Sequence, residues 1–132
     1  MKHIAVTIVT ALLYLAPLTT TLSAQGTALQ KTAPAFTTAQ NLEGELNEKP
    51  QVERDRSEYV RVIDAYQRVY LITPHTGYAD NALMTIARLY EEINDTRAAV
   101  RTLTFLLREY PGSPFRDAAE KDVARLQGVP VR

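Results

Sequence analysis

The second half of the chain repeats itself with a period of 37 residues. The pairs brought together by that displacement are Pro74 with Pro111, Thr76 with Ser113, Tyr78 with Phe115, Asp80 with Asp117, Ala82 with Ala119, Ile86 with Val123, and Ala87-Arg88-Leu89 with Ala124-Arg125-Leu126. The repeated residue types have structural roles, because prolines end helices, Thr and Ser cap helix N-termini, and alanines permit close helix contact. A period in the thirties with two helices per unit predicts stacked helical hairpins.

The spacing of apolar residues predicts four helices in this part of the chain. One extends from Ser57 to Thr73, two lie between Tyr78 and Tyr110 on either side of Asn94–Thr96, and the last extends from Pro114 to about Gln127, with Gly128 as its C-terminal cap. No stretch alternates as a strand would. The predicted fold class is therefore all-α, with antiparallel helical hairpins stacked as a short solenoid of about two to two and a half repeats.

The first 24 residues have the pattern of a secretory signal peptide. Met1-Lys2-His3 precedes an apolar run that ends at Pro17, and Leu22-Ser23-Ala24 is a usable cleavage site before Gln25. The alternative is an uncleaved anchor, but a spanning helix needs roughly 20 predominantly apolar residues. We therefore expect a periplasmic or secreted protein without stable membrane insertion after cleavage. No cysteine follows the run, which excludes a lipoprotein.

Composition divides the remainder into three parts. Residues 25–52 are predicted to be a flexible leader, with a short helix over 35–48 suggested by Phe36, Ala39, Leu42 and Leu46; a disordered tether is the alternative. Residues 53–127 form the helical domain, and residues 128–132 a C-terminal tail.

The repeat resembles a tetratricopeptide repeat. The residues that carry this resemblance are Leu83, Ile86, Ala87, Tyr90, Ala99, Leu103 and Pro111. The departures are Asn94 where glycine is usual and Leu106 where alanine is usual. Asn tolerates the left-handed conformation that the turn requires.

Two narrower resemblances place the chain in the bacterial envelope. The long turns at 74–80 and 110–117 resemble those of envelope tetratricopeptide proteins such as the lipoprotein of the outer-membrane barrel assembly machine and the periplasmic Tol-Pal coordinator. The segment from Phe36 to Leu126 also looks like the helical leader of some N-acetylmuramoyl-L-alanine amidases. The resemblance to the amidases implies that this chain corresponds to their leader without the catalytic domain.

The chain contains few residues of the types that commonly carry out catalysis. The 132 residues include 15 basic and 15 acidic side chains, two histidines and no cysteine, so we expect no nucleic-acid binding, no metal, no cofactor and no enzymatic activity. His75 lies in a turn, and Glu91-Glu92 fits a solvated helix face. The tyrosines at helical spacing are expected to pack in the core rather than bind a sugar.

The resemblance to tetratricopeptide repeats implies a working surface on the concave side. The residues expected there are Asn81, Met84, Arg88, Glu91, Lys121 and Arg125, with Ala118 beside them. Arg88 and Arg125 are related by the repeat, and their guanidinium groups suit a peptide that carries carboxylates. The alternative is that these side chains only pair with Glu91, Glu92 and Asp122 on their own helices.

The expected function is a non-catalytic scaffold that mediates protein–protein interaction in envelope assembly or maintenance. Its partner would be a protein or peptide, such as a cell-wall enzyme or an outer-membrane assembly component. The alternatives are a regulatory leader related to cell-wall amidases and a truncated relative with no independent role.

Overall fold

The computed structural model describes residues 23–72 and 74–128, with side chains from Pro34 onwards within these ranges. These residues form five α-helices and one 3-10 turn and contain no strand, which confirms the all-α class. The predicted signal peptide lies outside them apart from its last two residues, and residues 129–132 of the predicted tail lie outside them as well. No helix of the described part is long and apolar enough to cross a membrane.

The helices follow one another with short connections. They are α1 (Ser23–Asn47), α2 (Arg56–Ile72), α3 (Gly77–Glu92), α4 (Thr96–Glu109) and α5 (Arg116–Gln127), and the 3-10 turn Gln51–Glu53 lies between α1 and α2. Each helix packs against the next one in the chain, and α1 also contacts α3. The four helices predicted from apolar spacing are present, with ends shifted by one or two residues.

The first helix differs from the prediction of a flexible leader. Helix α1 begins at Ser23, well before the expected residue 35, and it includes Pro34 in its interior. Ala39 and Leu46 are buried in one cluster with Val62 and Ile63 of α2. The predicted boundary at residue 52 is therefore wrong, since α1 packs in the same core as α2. Helix α1 continues through Gly44 because burial of its apolar stripe outweighs the low helix propensity of glycine.

An arginine secures the connection between α1 and α2. Arg54 Nε donates to the carbonyl oxygen of Lys49 at 2.8 Å, and its Nη2 donates to that of Asn47 at 3.3 Å. Asn47 is the last residue of α1, where carbonyls have no partner within the helix, and Lys49 lies two residues beyond it. The segment between α1 and α2 thus contributes a cap to the end of α1.

The core consists of two clusters that share α3. The first, between α1, α2 and α3, contains Ala39, Leu46, Tyr59, Val62, Ile63, Ala65, Tyr66, Val69, Ala82, Ile86 and Leu89. The second, between α3, α4 and α5, contains Leu83, Ala87, Leu103, Leu106 and Ala119. The repeat-related alanines Ala82 and Ala119 are both 0% exposed, which fits their predicted role at close helix contacts.

The turn between α3 and α4 has the conformation expected of it. Asn94 has a φ of 59°, in the left-handed region. The backbone N–H groups of Asn94 and Asp95 donate to the carbonyls of Glu91 and Tyr90 at 2.9 and 2.8 Å, which is a Schellman motif. Asp95 then caps α4 by accepting from the N–H of Ala98 at 3.0 Å.

The two predicted N-caps have different outcomes. Thr76 occupies the predicted N-cap position of α3, but its side chain does not accept the expected hydrogen bond from the N–H groups of the first turn. Ser113 does not cap α5, which begins at Arg116 with Phe115 at the N-cap position. Its hydroxyl instead donates to Asp80 Oδ2 at 2.8 Å and accepts from the N–H of Phe115 at 3.1 Å. Asp80 is buried, so this bond replaces hydration that the carboxylate has lost.

Leu103→Ala tests whether the second cluster is a true core. Leu103 is 1% exposed, so its truncation should lower the free energy of unfolding by roughly 2–5 kcal/mol. Urea denaturation followed by circular dichroism measures the loss. Leu71→Ala, at a position that is 68% exposed, is the control and should cost little. Equal midpoints for the two variants would show that Leu103 does not support the fold.

Candidate functional site

Five of the six predicted surface residues line one concavity. Asn81, Met84, Arg88 and Glu91 of α3 face Arg125 of α5 across an open depression of about 670 Å³. We call it the α3–α5 groove. Its remaining lining residues are Thr85, Ala87, Glu92, Leu103, Phe115 and Asp122. Half-buried Met84 and Phe115 supply apolar surface beside buried Leu103.

The sixth residue, Lys121, is exposed on α5 but does not line the groove, and neither does Ala118. The prediction placed Lys121 one turn from Arg125 on the same face. In the structure Asp122, three residues before Arg125, faces the groove instead. The positive charge expected from Lys121 is thus replaced by a carboxylate.

Arg88 is engaged by two carboxylates of the protein. Its Nη1 donates to Glu92, one turn further along α3, and its Nη2 donates to Glu43 of α1. The pair with Glu43 joins two helices, α1 and α3, that are not consecutive in the chain. Glu43 was not singled out from the sequence, because it lies in the segment that was expected to be a flexible leader.

Arg125 is engaged in the same manner. Its Nη2 lies 2.8 Å from Glu91 Oε2 on α3 and 3.0 Å from Asp122 Oδ1 on its own helix. The hydrogen bond to Glu91, and to a smaller extent the one to Asp122, raises the pKa of the Arg125 guanidinium. Arg88 and Arg125, one repeat apart, therefore each bind a carboxylate of the preceding odd-numbered helix.

The electrostatics of the groove differ from those expected of a site for carboxylates. Its lining contains two arginines and three carboxylates, Glu91, Glu92 and Asp122. Both guanidinium groups already have acidic partners. The pairs with Glu92 and Asp122 lie within one helix, as in the alternative interpretation of the sequence, whereas those with Glu43 and Glu91 join different helices. A peptide carboxylate would have to displace Glu43, Glu91 or Glu92 from an existing ion pair. The groove itself offers apolar contact between charges that are already paired.

A buried tyrosine extends the Arg88 network into the core. Tyr66 of α2 is 2% exposed, and its hydroxyl donates to Glu43 Oε2. Burial, together with the hydrogen bond and charge of Glu43, raises the pKa of this phenol well above its usual range. Tyr66, Glu43 and Arg88 thus connect α1, α2 and α3 through polar side chains.

The other candidates for chemistry remain isolated. His75 is exposed in the turn before α3. Across residues 34–72 and 74–128, no three His, Cys, Asp or Glu side chains lie together in a way that could hold a metal ion. The repeat pairs Asp80 with Asp117, but the sequence did not indicate that Asp80 is buried, and its partner Ser113 is 33 residues away.

Comparison with known proteins returns no match: no protein-family model, no curated protein and no solved structure is significantly similar to this chain.

The Tyr66–Glu43 contact predicts a specific response to alkaline pH. Because the folded state holds the Tyr66 proton above the usual phenol pKa of about 10, the unfolded state loses its proton first as the pH rises. The stabilising effect is complete below about pH 10 and is lost above it. Tyr66→Phe removes this contribution, so the stability difference between wild type and variant should shrink between about pH 9 and 11. Urea titrations across that range measure it, and parallel profiles would contradict the contact.

Proposed function

We propose that this chain is a non-catalytic scaffold of the bacterial envelope, built as a short tetratricopeptide-like solenoid that holds a polypeptide partner in the α3–α5 groove. The observation that carries the proposal is the groove itself, where Met84 and Phe115 are left half-buried beside paired charges. Hot spots of protein interfaces are commonly apolar or aromatic anchors within a polar rim.

The order of packing supports the solenoid part of the proposal. Each helix packs on its neighbour in sequence, α1 contacts α3, and the 37-residue repeat relates α3 to α5. In this description α1–α2 and α3–α4 are two hairpins and α5 is a terminal half-repeat. The outer side of α5 is polar (Arg116, Asp117, Glu120 and Lys121), as a capping helix requires.

The charges that line the groove limit the kind of partner that would fit it. Since Arg88 and Arg125 are already paired, a partner gains little from carboxylates alone. A segment with an apolar or aromatic anchor flanked by side chains of both signs fits better. The apolar anchor would cover Met84 and Phe115. The envelope location rests on the sequence of residues 1–24, and the absence of catalysis on the scarcity of histidine and the lack of cysteine.

Met84→Gln tests this site. Peptides selected from a displayed random library against the wild-type protein provide defined ligands, and their affinities can be measured by fluorescence anisotropy. Loss of the anchor contact should weaken groove-binding peptides about tenfold, which corresponds to about 1.4 kcal/mol. Circular dichroism confirms retained helicity.

Leu71→Gln is the matched control, because it makes the same kind of change at an exposed position of α2 outside the groove. Its effect on the selected peptides should be within about twofold. A library that yields no binding peptide, or peptides that bind Met84→Gln as tightly as wild type, would contradict the proposal.

A further inference from the structure

A second concavity lies on the opposite side of α3. It is formed by Gln67 and Tyr70 of α2, by Arg101 and Phe105 of α4, and by Tyr90 of α3, and it measures about 280 Å³. We call it the α2–α4 groove. Its α3 lining residues, Leu83, Ile86 and Tyr90, point about 150° away around the helix from those of the α3–α5 groove. The two grooves therefore open on different faces of the molecule.

Four polar side chains of this groove have no partner inside the described protein, whereas the hydroxyl of Thr102, which also lines the groove, donates to the carbonyl oxygen of Ala98 at 2.9 Å. Gln67, Tyr70, Tyr90 and Arg101 form no side-chain hydrogen bond or ion pair with any residue of the described ranges. None of their polar atoms is both buried and unsatisfied, so the two phenol hydroxyls reach solvent. This contrasts with the α3–α5 groove, where Arg88 and Arg125 are both paired.

The groups in the groove are mainly hydrogen-bond donors. Arg101 presents a charged guanidinium fork, and the amide of Gln67 can also donate. Burial is the main cause that raises the pKa of Tyr70, and the neighbouring Tyr90 adds to it. The phenol of Tyr70 therefore keeps its proton and remains a donor. Such a set matches a carboxylate, which only accepts hydrogen bonds and fits a guanidinium in a bidentate manner.

Apolar surface lies directly beside these donors. The rings of Tyr70 and Phe105 lie 5.8 Å apart across the groove, with Leu83 and Ile86 beneath them. A small ligand-binding site typically combines such an apolar floor with a few convergent polar groups. The residue next to the bound carboxylate should therefore be apolar or aromatic.

The charge around the groove favours the same kind of ligand. Helices α2 and α4 together carry six arginines and three carboxylates, whereas α1, α3 and α5 carry five basic and eight acidic residues. The exposed arginines Arg68, Arg97 and Arg101 have no ion pair within the described ranges. An anion is therefore attracted to the α2–α4 face and repelled from the opposite one.

The arginines of α4 indicate a ligand longer than one residue. Arg97, Arg101 and Arg108 follow one exposed stripe, which extends about 16 Å at 1.5 Å per residue. Arg97 and Arg101 have no ion pair within the described ranges, whereas the Nε of Arg108 pairs with Glu109. The Arg108 guanidinium lies 5.5 Å from the centre of the Phe105 ring, at the rim of the groove. An extended peptide of about five residues covers this length.

We propose that the α2–α4 groove is a second binding site, which takes an acidic peptide segment with a carboxylate on Arg101, Tyr70 and Tyr90 and an apolar neighbour on Phe105. This site shares no lining polar residue with the α3–α5 groove and does not depend on the function proposed for it. An extended peptide fits better than a nucleic acid or a lipid surface, because the groove measures only about 280 Å³ and Asp64 and Glu109 interrupt the basic face.

The test uses a labelled synthetic peptide in which Glu alternates with Leu and Phe, together with a counterpart that has Gln in place of each Glu. Fluorescence anisotropy should show binding of the Glu peptide to the full chain and at least about tenfold weaker binding of the Gln peptide. Arg101→Gln should weaken the Glu peptide about tenfold. Tyr90→Phe, which removes a hydroxyl without an internal bond, should weaken it severalfold while leaving the circular dichroism spectrum unchanged.

Arg116→Gln is the matched control, because it removes the same charge from an exposed site on α5. It should change the affinity by less than about twofold. Equal binding of the two peptides, or equal losses for Arg101→Gln and Arg116→Gln, would overturn the proposal. Vesicles containing phosphatidylglycerol, or a single-stranded oligonucleotide, that bound more tightly than the peptide with the same dependence on Arg101 would also overturn it.

Discussion

Helix α3 carries apolar side chains on two flanks, and the rest of the fold depends on burying both at once. Ala82, Ile86 and Leu89 belong to the cluster shared with α1 and α2, whereas Leu83 and Ala87 belong to the cluster shared with α4 and α5. Small residues allow both neighbours to approach α3 closely. Neither cluster is complete without this helix, so the two halves of the chain stabilise each other.

The same arrangement separates the two polar faces of the molecule. Because α3 is buried on its flanks, its remaining surface faces the odd-numbered helices on one side, where Arg88 and Arg125 join α1, α3 and α5 through ion pairs. On the other side α2 and α4 leave arginines without acidic partners. One face is thus electrostatically satisfied and the other has free capacity to bind an anion.

The sequence predicted what depends on local spacing. Helix positions, the turn at Asn94 and the cap at Gly128 follow from periodicity and backbone preference, and both cap residues have positive φ. The members of the α3–α5 groove were also largely predictable, because the repeat fixes which side of α3 faces α5. Contacts between residues that are far apart in the sequence were not predictable. The contact of Arg88 with Glu43 spans 45 residues, and that of Asp80 with Ser113 spans 33. No local pattern contains them, so Glu43 was missed and the sequence suggested only carboxylates of the same helix as partners for the arginines of the groove.

Native-state hydrogen exchange of Ile86→Ala tests most directly whether α3 makes the two clusters one cooperative unit. Ile86 is 1% exposed and belongs only to the first cluster. If the clusters depend on each other, the most protected amides of α4 should lose as much protection as those of α2, by roughly 2–5 kcal/mol. Loss of protection confined to α1 and α2, with α4 and α5 unchanged, would contradict the account.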